Sequence, residues 1–289
     1  MKEPIGLLGL GLLGHALGRR LLSAGFTVTG FDINPSRCEL FRESGGQTVA
    51  SADQLFANHQ RIILCLLHSD QVRSALDEVT IRPETILFDT TTGRPEDAIS
   101  FAAGLKKIGS TYLDTTVVGS SQQVEAGEAT LLVGGDAAVV KHEMEFLQQL
   151  APQVFSLGQN GSAAKMKLVV NLCIGLHRAV LAEALTLADL FSLDLEQTLQ
   201  ILQATPAASA AMQVKGPKML QQDFTPQAKL AQHLKDVRLM LESAEKHDAT
   251  LPLSEIHASL LQNLVQQGWG DLDNSAIIKA YQPDADKQD

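Results

Sequence analysis

From Pro4 to Gly158 short β-rich apolar runs alternate with longer amphipathic stretches. The runs are IGLLGL, TVTGFD, RIILCLL, TILFDTT, TYLDTTVV and ATLLVGG. Strands separated by helical segments in this rhythm predict a parallel, doubly wound sheet. The punctuation agrees: Gly25 stops the first helix before a strand, and Asn34-Pro35 supplies a cap and first turn for the next helix. After Gly161 the strand pattern ends. The run AAKMKLVVNLCIGLHRAVLAEALTLADLFSL reads as one long helix, apolar on most faces and therefore buried on several sides. Further helices are expected to about Ala280, with breaks at Thr205-Pro206, Gly216-Pro217 and Gly268-Trp269-Gly270, and the charged tail QPDADKQD is expected to fray. The fold class is α/β: a sheet domain over residues 1–160, then an all-α domain over 161–289 joined to it by the long helix.

The first strand runs straight into a glycine pattern. Gly9, Gly11 and Gly14 stand in G-x-G-x-x-G spacing where a helix begins. The first glycine permits a tight turn, the second lets a pyrophosphate approach the backbone, and the third lets helix and strand pack closely. N–H groups of the loop Gly9, Leu10, Gly11, Leu12, Leu13, Gly14 would face the phosphates. Asp32 closes the second strand, where its carboxylate can accept bonds from an adenosine ribose and would repel a ribose phosphate. Ile33 follows it and brings no compensating arginine, so NAD is favoured and NADP remains possible. His15, just inside the helix, is assigned to packing or to solvent.

Composition narrows the partners. The 289 residues carry a formal net charge of -10 with no basic run, which argues against nucleic acid or an anionic membrane. Cys38, Cys65 and Cys173 are odd in number and far apart, so neither a disulfide framework nor a zinc site is expected, and a reducing cytoplasm fits. The apolar N-terminus is interrupted by glycines and His15 and reads as structure, not as a signal peptide. No unbroken apolar stretch reaches the roughly 18 residues of a membrane span.

The long helix opens with two lysines, Lys165 and Lys167. They lie ~200° apart around a helix, so only one can serve a site. Lys167 shares its face with Asn171, and an ammonium beside an amide suits a carbonyl substrate: one supplies a proton, the other fixes orientation. The helix also begins where the dinucleotide domain ends, and ligands bind at such domain junctions.

Taken in order, GLGLLGHALGRRLLSAGFTV, DTTTGRP, DTTVVGSSQQVEAGEATLLVGGD, GSAAKMKLVVN and LKDVRLML resemble the β-hydroxyacid dehydrogenase family. That family includes 3-hydroxyisobutyrate dehydrogenases, tartronate semialdehyde reductases and glyoxylate/succinic semialdehyde reductases, and AAKMKLVVN with the late GDLDNSAIIKAY is most similar to the last branch. The resemblance runs from about Ile5 to Tyr281. It implies a Rossmann domain followed by a helical substrate and dimerisation domain. Lys167 becomes the catalytic acid/base and Asn171 its substrate-orienting neighbour, while Lys165 stays structural. Thr92 falls beside the nicotinamide, Leu66 and Leu67 flank the cofactor, and Lys235 reaches back to the cofactor and substrate cleft.

The family motif D-x-P-V-S-G-G becomes Asp114 to Ser120 here, with Val118 replacing the serine that would bind a substrate carboxylate. Backbone N–H groups from Gly119 to Ser121 and the hydroxyls of Ser120 and Ser121 remain as anion donors. The aromatic residue upstream of the lysine-aspartate pair is missing, with Ala228 near its place, which implies a wider or more apolar pocket. The expected activity is hydride transfer between a nicotinamide and a small β-hydroxyacid or its semialdehyde. The alternatives are an imine or sugar-acid reductase on the same fold, and a non-catalytic NAD-binding interaction module. The apolar long helix further suggests a homodimer or homotetramer.

Overall fold

The computed structural model describes residues 2–281, so the charged tail lies outside the described residues. The chain divides into two compact units, Met1–Lys167 and Leu168–Asp289.

The first unit opens with β1 (Ile5–Leu8), α1 (Leu12–Ser23), β2 (Val28–Phe31), α2 (Pro35–Glu43), β3 (Gln47–Thr48), α3 (Ala52–Asn58) and β4 (Arg61–Leu64). It continues with α4 (Ser69–Asp77), β5 (Ile86–Asp89), α5 (Pro95–Lys107), β6 (Thr111–Val118), α6 (Ser121–Ala126) and β7 (Thr130–Gly134). α7 (Ala137–His142), α8 (Met144–Leu150) and β8 (Gln153–Ser156) complete it. The strands form one sheet in the order β3-β2-β1-β4-β5-β6-β7-β8. Fully buried Leu7, Ile63, Phe88 and Leu113 carry one face of its core, and Ile62, Leu64 and Leu87 the other. Burial on both faces is what near-continuous apolar strands require.

The sheet departs from the predicted all-parallel form at one edge. β7 pairs antiparallel with β6, with Asp114 opposite Gly134, and β8 then runs parallel to β7. The link from Val118 to Thr130 holds only the short α6, and an antiparallel return needs no crossover helix along the sheet. Strands β3 and β8 lack the apolar run that marks a strand: β3 is two residues long, and β8 is largely exposed.

α9 (Ser162–Leu190) begins in the first unit and continues into the second. α10 (Leu195–Ala204), α11 (Ala210–Gln221), α12 (Leu230–Glu245), α13 (Pro252–Gln266) and a 3-10 helix (Asn274–Ala280) follow. α11 runs through Gly216-Pro217, where a break was predicted. A side chain at Gly216 would lie 2.6 Å from Leu199, so close packing of α10 and α11 holds the helix together across the proline. α9 is long and apolar enough, by length and composition, to cross a membrane, with a mean hydropathy of 1.6 over 18 residues. Counting only unbroken apolar runs passes over it. Leu168, Leu181, Ala182 and Leu185 nonetheless lie in the core of the helical unit, which is how a core helix is used.

A buried ion pair ties the helical unit together. Fully buried Asp273 accepts from Lys215 Nζ at 2.9 and 3.0 Å and from the backbone N–H groups of Gln227 and Ser275.

Candidate active site

The sequence-predicted residues of the first unit collect at one edge of its sheet. Gly9 follows β1, Cys65 and Leu66 follow β4, Thr91 and Thr92 follow β5, and Val118 ends β6. These four parallel strands are adjacent, so their carboxyl ends form a single rim, the place where open α/β sheets bind ligands.

The glycine loop has the geometry its spacing implies. Gly9 has φ +96°, and a side chain there would sit 2.2 Å from the Cys65 carbonyl oxygen. A side chain at Gly14 would sit 2.0 Å from the Gly9 carbonyl oxygen, so α1 packs directly on the turn. At Gly11 a side chain would meet only Arg37 Nη1, at 4.0 Å, which leaves the approach open. Gly11 caps α1 without a side-chain bond, and no acidic residue stands in the first turn. The helix start is therefore uncapped by its own side chains and electropositive, which fits a dinucleotide pyrophosphate. Leu12 and Leu67 are about half exposed, Leu13 and Leu66 partly buried, and Leu10 is buried against the core.

Asp32 does more than was expected of it. Its Oδ2 accepts from Leu10 N at 2.8 Å and its Oδ1 from Asn34 N at 2.8 Å, so the carboxylate organises the glycine loop from below. The expectation drawn from Ile33 alone misses Arg37, one turn into α2, whose Nη1 lies 3.2 Å from Asp32 Oδ2. An arginine does accompany this carboxylate. Ile33 itself is 89% exposed. His15 pairs with Ser44 Oγ at 2.9 Å and meets Phe41 edge-on.

Behind the loop, burial pushes the Cys65 thiol up to about 12, with a bond to Thr90 opposing and Asp89 and Asp32 adding to the rise. Thr90 and Thr91 are the buried threonines of the motif, and Thr91 Oγ1 accepts from Leu66 N at 3.1 Å; Thr92 next to them is partly exposed. Asp89 accepts from Thr91 N at 2.8 Å and from Tyr112 Oη at 2.5 Å. Burial raises its carboxyl from 3.8 to about 6, against the bonds from Thr91 and Tyr112 and with the Asp114 charge adding. Between pH 4 and 6 the folded chain thus binds more protons here than the unfolded chain, and stability falls as pH rises through that window, by about 3 kcal/mol for a two-unit shift. Asp89→Asn keeps the Thr91 bond and can donate to Tyr112. It is expected to remove this slope, read as melting temperature against pH from 4 to 7; an unchanged slope would exclude Asp89 as its source.

Lys167 lies at the same rim. Its side chain is buried, 9% exposed, and Nζ donates to the Val117 carbonyl oxygen at 2.6 Å. Lys165 is exposed, as the ~200° separation requires. In the loop after β6 the Ser120 backbone N–H is already engaged, while its hydroxyl, which only accepts, keeps a proton to donate. Ser120 N donates to Gln123 Oε1 at 2.9 Å, and Ser120 Oγ accepts from Gln123 N, a reciprocal capping box that engages the backbone donor and the hydroxyl oxygen together. Val118 is partly buried and Gly119 exposed.

In the helical unit Asn171 Nδ2 donates to Asp236 Oδ2 at 2.8 Å, and Lys235 Nζ lies 2.9 Å from Asp236 Oδ1. Asp236 therefore links the two residues that were singled out there. The sequence pattern assigns Asp236 no role, and its place beside Lys235 in LKDVRL is the available signal.

Comparison with known proteins follows the same division. Residues 4–158 match the family model of the NAD-binding domain of 6-phosphogluconate dehydrogenase, and residues 161–281 match that of the NAD-binding domain of NADP-dependent 3-hydroxyisobutyrate dehydrogenase. The chain belongs to this family of dinucleotide-binding, 3-hydroxyisobutyrate dehydrogenase-like proteins. It is 28% identical to glyoxylate/succinic semialdehyde reductase 1 of Arabidopsis thaliana, covering 96% of this chain and 97% of that one. It is 27% identical to the cytokine-like nuclear factor N-PAC of Drosophila melanogaster, over 96% of this chain and 47% of that protein, so the chain spans about half the length of that relative. A crystal structure of 3-hydroxyisobutyrate dehydrogenase from Salmonella typhimurium superposes with a TM-score of 0.88 at 25% identity, covering 96% and 99% of the two chains.

Proposed function

We propose that the chain is a nicotinamide-dependent oxidoreductase acting on a small β-hydroxyacid or the corresponding semialdehyde, with Lys167 as general acid/base. The observation that carries this reading is the buried ammonium held on Val117 at the sheet rim that also bears the glycine loop. NADH, when bound, supplies the hydride. Gly9 to Gly14 would hold the pyrophosphate, Asp32 with Arg37 the adenosine ribose end, Leu66 and Leu67 would flank the cofactor, and Thr92 would lie beside the nicotinamide. Lys167 gives a proton to the carbonyl oxygen during reduction and takes it back from the alcohol in the reverse direction. Asn171, steadied by Asp236, orients the substrate, and Lys235 shares that carboxylate. Asp32 favours NAD, and Arg37 beside it is the group through which NADP would be tolerated.

A panel of semialdehydes, aldehydes and hydroxyacids, followed by NADH and NADPH absorbance, tests the activity. Turnover of no member would sink it. The N-PAC match favours one competing reading, a dinucleotide-binding interaction module without catalysis. In that case NADH binds and nothing turns over.

Self-association through α9 belongs to the same proposal. Met166, Val169, Val180 and Leu187 are exposed by 40, 58, 59 and 51%, and with Cys173 and Leu176 they follow three-, four- and seven-residue steps along one stripe. Val180→Glu is expected to shift a dimer or tetramer towards monomer in light scattering; wild-type monomer at all concentrations would count against it. Cytoplasmic location is supported by three cysteines left as free thiols.

A further inference from the structure

Asp114 begins the stretch of β6 that faces the start of α9. Asp114 is 2% exposed, yet among the described residues no lysine or arginine bonds its carboxylate. Backbone N–H groups satisfy it instead. Gly161 N donates to both oxygens at 3.1 and 3.0 Å, Ala163 N to Oδ2 at 3.0 Å and Ala164 N to Oδ2 at 3.2 Å. Asn160 Nδ2 adds a bond to Oδ1 at 3.3 Å. Opposite on β7 stands Gly134, where a side chain would lie 2.6 Å from Asp114 Oδ1. The carboxylate thus fills a space shaped for it at the electropositive end of a 29-residue helix.

The donors it takes are placed where they matter for Lys167. Ala163 and Ala164 lie four and three residues before Lys167, on the same helix face. β6 advances ~10 Å from Asp114 to Val117 while α9 advances only ~5 to 6 Å over the same interval, and the long lysine side chain spans the difference to reach the Val117 carbonyl. Thr116 Oγ1 adds a bond to the Ala163 carbonyl oxygen at 3.3 Å between the two. One strand therefore clamps the helix start and receives the ammonium.

We infer that Asp114 is the positioning residue for Lys167: by anchoring the first turn of α9 to β6 it fixes where the ammonium stands. This inference rests on the proposed role of Lys167 as acid, so its test has a readout that does not need turnover.

In Asp114→Asn the charge and one acceptor are lost at constant size. The expected result is a kcat at least ~10-fold lower with NADH affinity within about twofold. The basic limb of the reduction profile moves to lower pH, because the positive end of α9, no longer covered by a carboxylate, favours the neutral amine. Asp89, in register on β5, and Tyr112 on β6 are present in both proteins and do not account for the difference. Peptide-resolved acetylation of lysines gives the second readout: Lys167 should react about 10-fold faster in the variant, with exposed Lys165 unchanged as internal control. Asp114→Ser, which retains a helix-capping hydroxyl, is measured beside it for stability.

The inference is overturned if folded Asp114→Asn keeps both its pH limb and its Lys167 labelling rate, if Lys165 and Lys167 labelling rise together, or if neither variant folds. Absence of turnover in the wild type instead defeats the proposed function, and the labelling comparison still decides the role of Asp114.

Discussion

Lys167→Met is expected to lower turnover at least ~100-fold while NADH affinity stays within about twofold. Methionine nearly matches the lysine stem in length and keeps its packing, so the substitution removes the ammonium and its bond to Val117 and little else. General acid catalysis typically contributes this much, and a variant that loses an interaction made in the transition state drops kcat without a matching rise in cofactor Kd. Lys165→Met is the control on the same turn of helix. Its exposed side chain predicts unchanged kinetics. Steady-state turnover with the best substrate of the panel and fluorescence titration with NADH decide the matter. Near-normal kcat in the methionine variant would remove Lys167 from the chemistry.

The second large effect lies at the opposite end of the rim. A methyl group at Gly14 would meet the Gly9 carbonyl oxygen at 2.0 Å, a backbone-to-backbone contact that no rotamer change relieves. α1 must move away from the turn, and with it the N–H groups that would face the phosphates. Overpacking of this kind costs about 3 kcal/mol at the upper end of its range, and the same amount expressed in binding is about 100-fold in Kd. Gly14→Ala is therefore expected to lose both thermal stability and most NADH affinity. Gly11→Ala separates the two losses: its methyl meets only Arg37, at 4.0 Å, so the melting temperature should hold while NADH binding weakens. If Gly14→Ala bound NADH like the wild type, the loop would not be the cofactor cradle.

The legible part of this molecule was local. β1, the glycine turn and α1 announce themselves within fourteen residues, because a strand, a left-handed turn and a close helix approach each demand particular residue types at particular steps. That only one of Lys165 and Lys167 can face a site was legible for the same reason, since helical rotation alone sends them to opposite sides. Asn34 caps α2 as its sequence implies, its side chain accepting from Ser36 N.

The less legible features rest on partners far along the chain or on the course of the backbone. Asp114 reads as the head of a family motif, yet the N–H groups that hold it lie 47 to 50 residues later. Ser120 reads as an anion donor through both N–H and hydroxyl, but Gln123 takes the N–H once α6 forms. Arg37 reaches Asp32 only because α2 folds back beside the end of β2.

Periodicity and residue type by themselves determined a dinucleotide-type sheet followed by helices, the glycine turn and that only one of the two lysines turns inward, because each depends on dihedral preferences and burial over one or two turns of chain. Tertiary structure alone decided the reversal of β7 and β8, the passage of α11 through Pro217, the Asn171–Asp236–Lys235 link and the anchoring of α9 by Asp114. Those outcomes depend on which distant backbone donors and neighbours end up within hydrogen-bond reach, and local pattern does not encode that geometry.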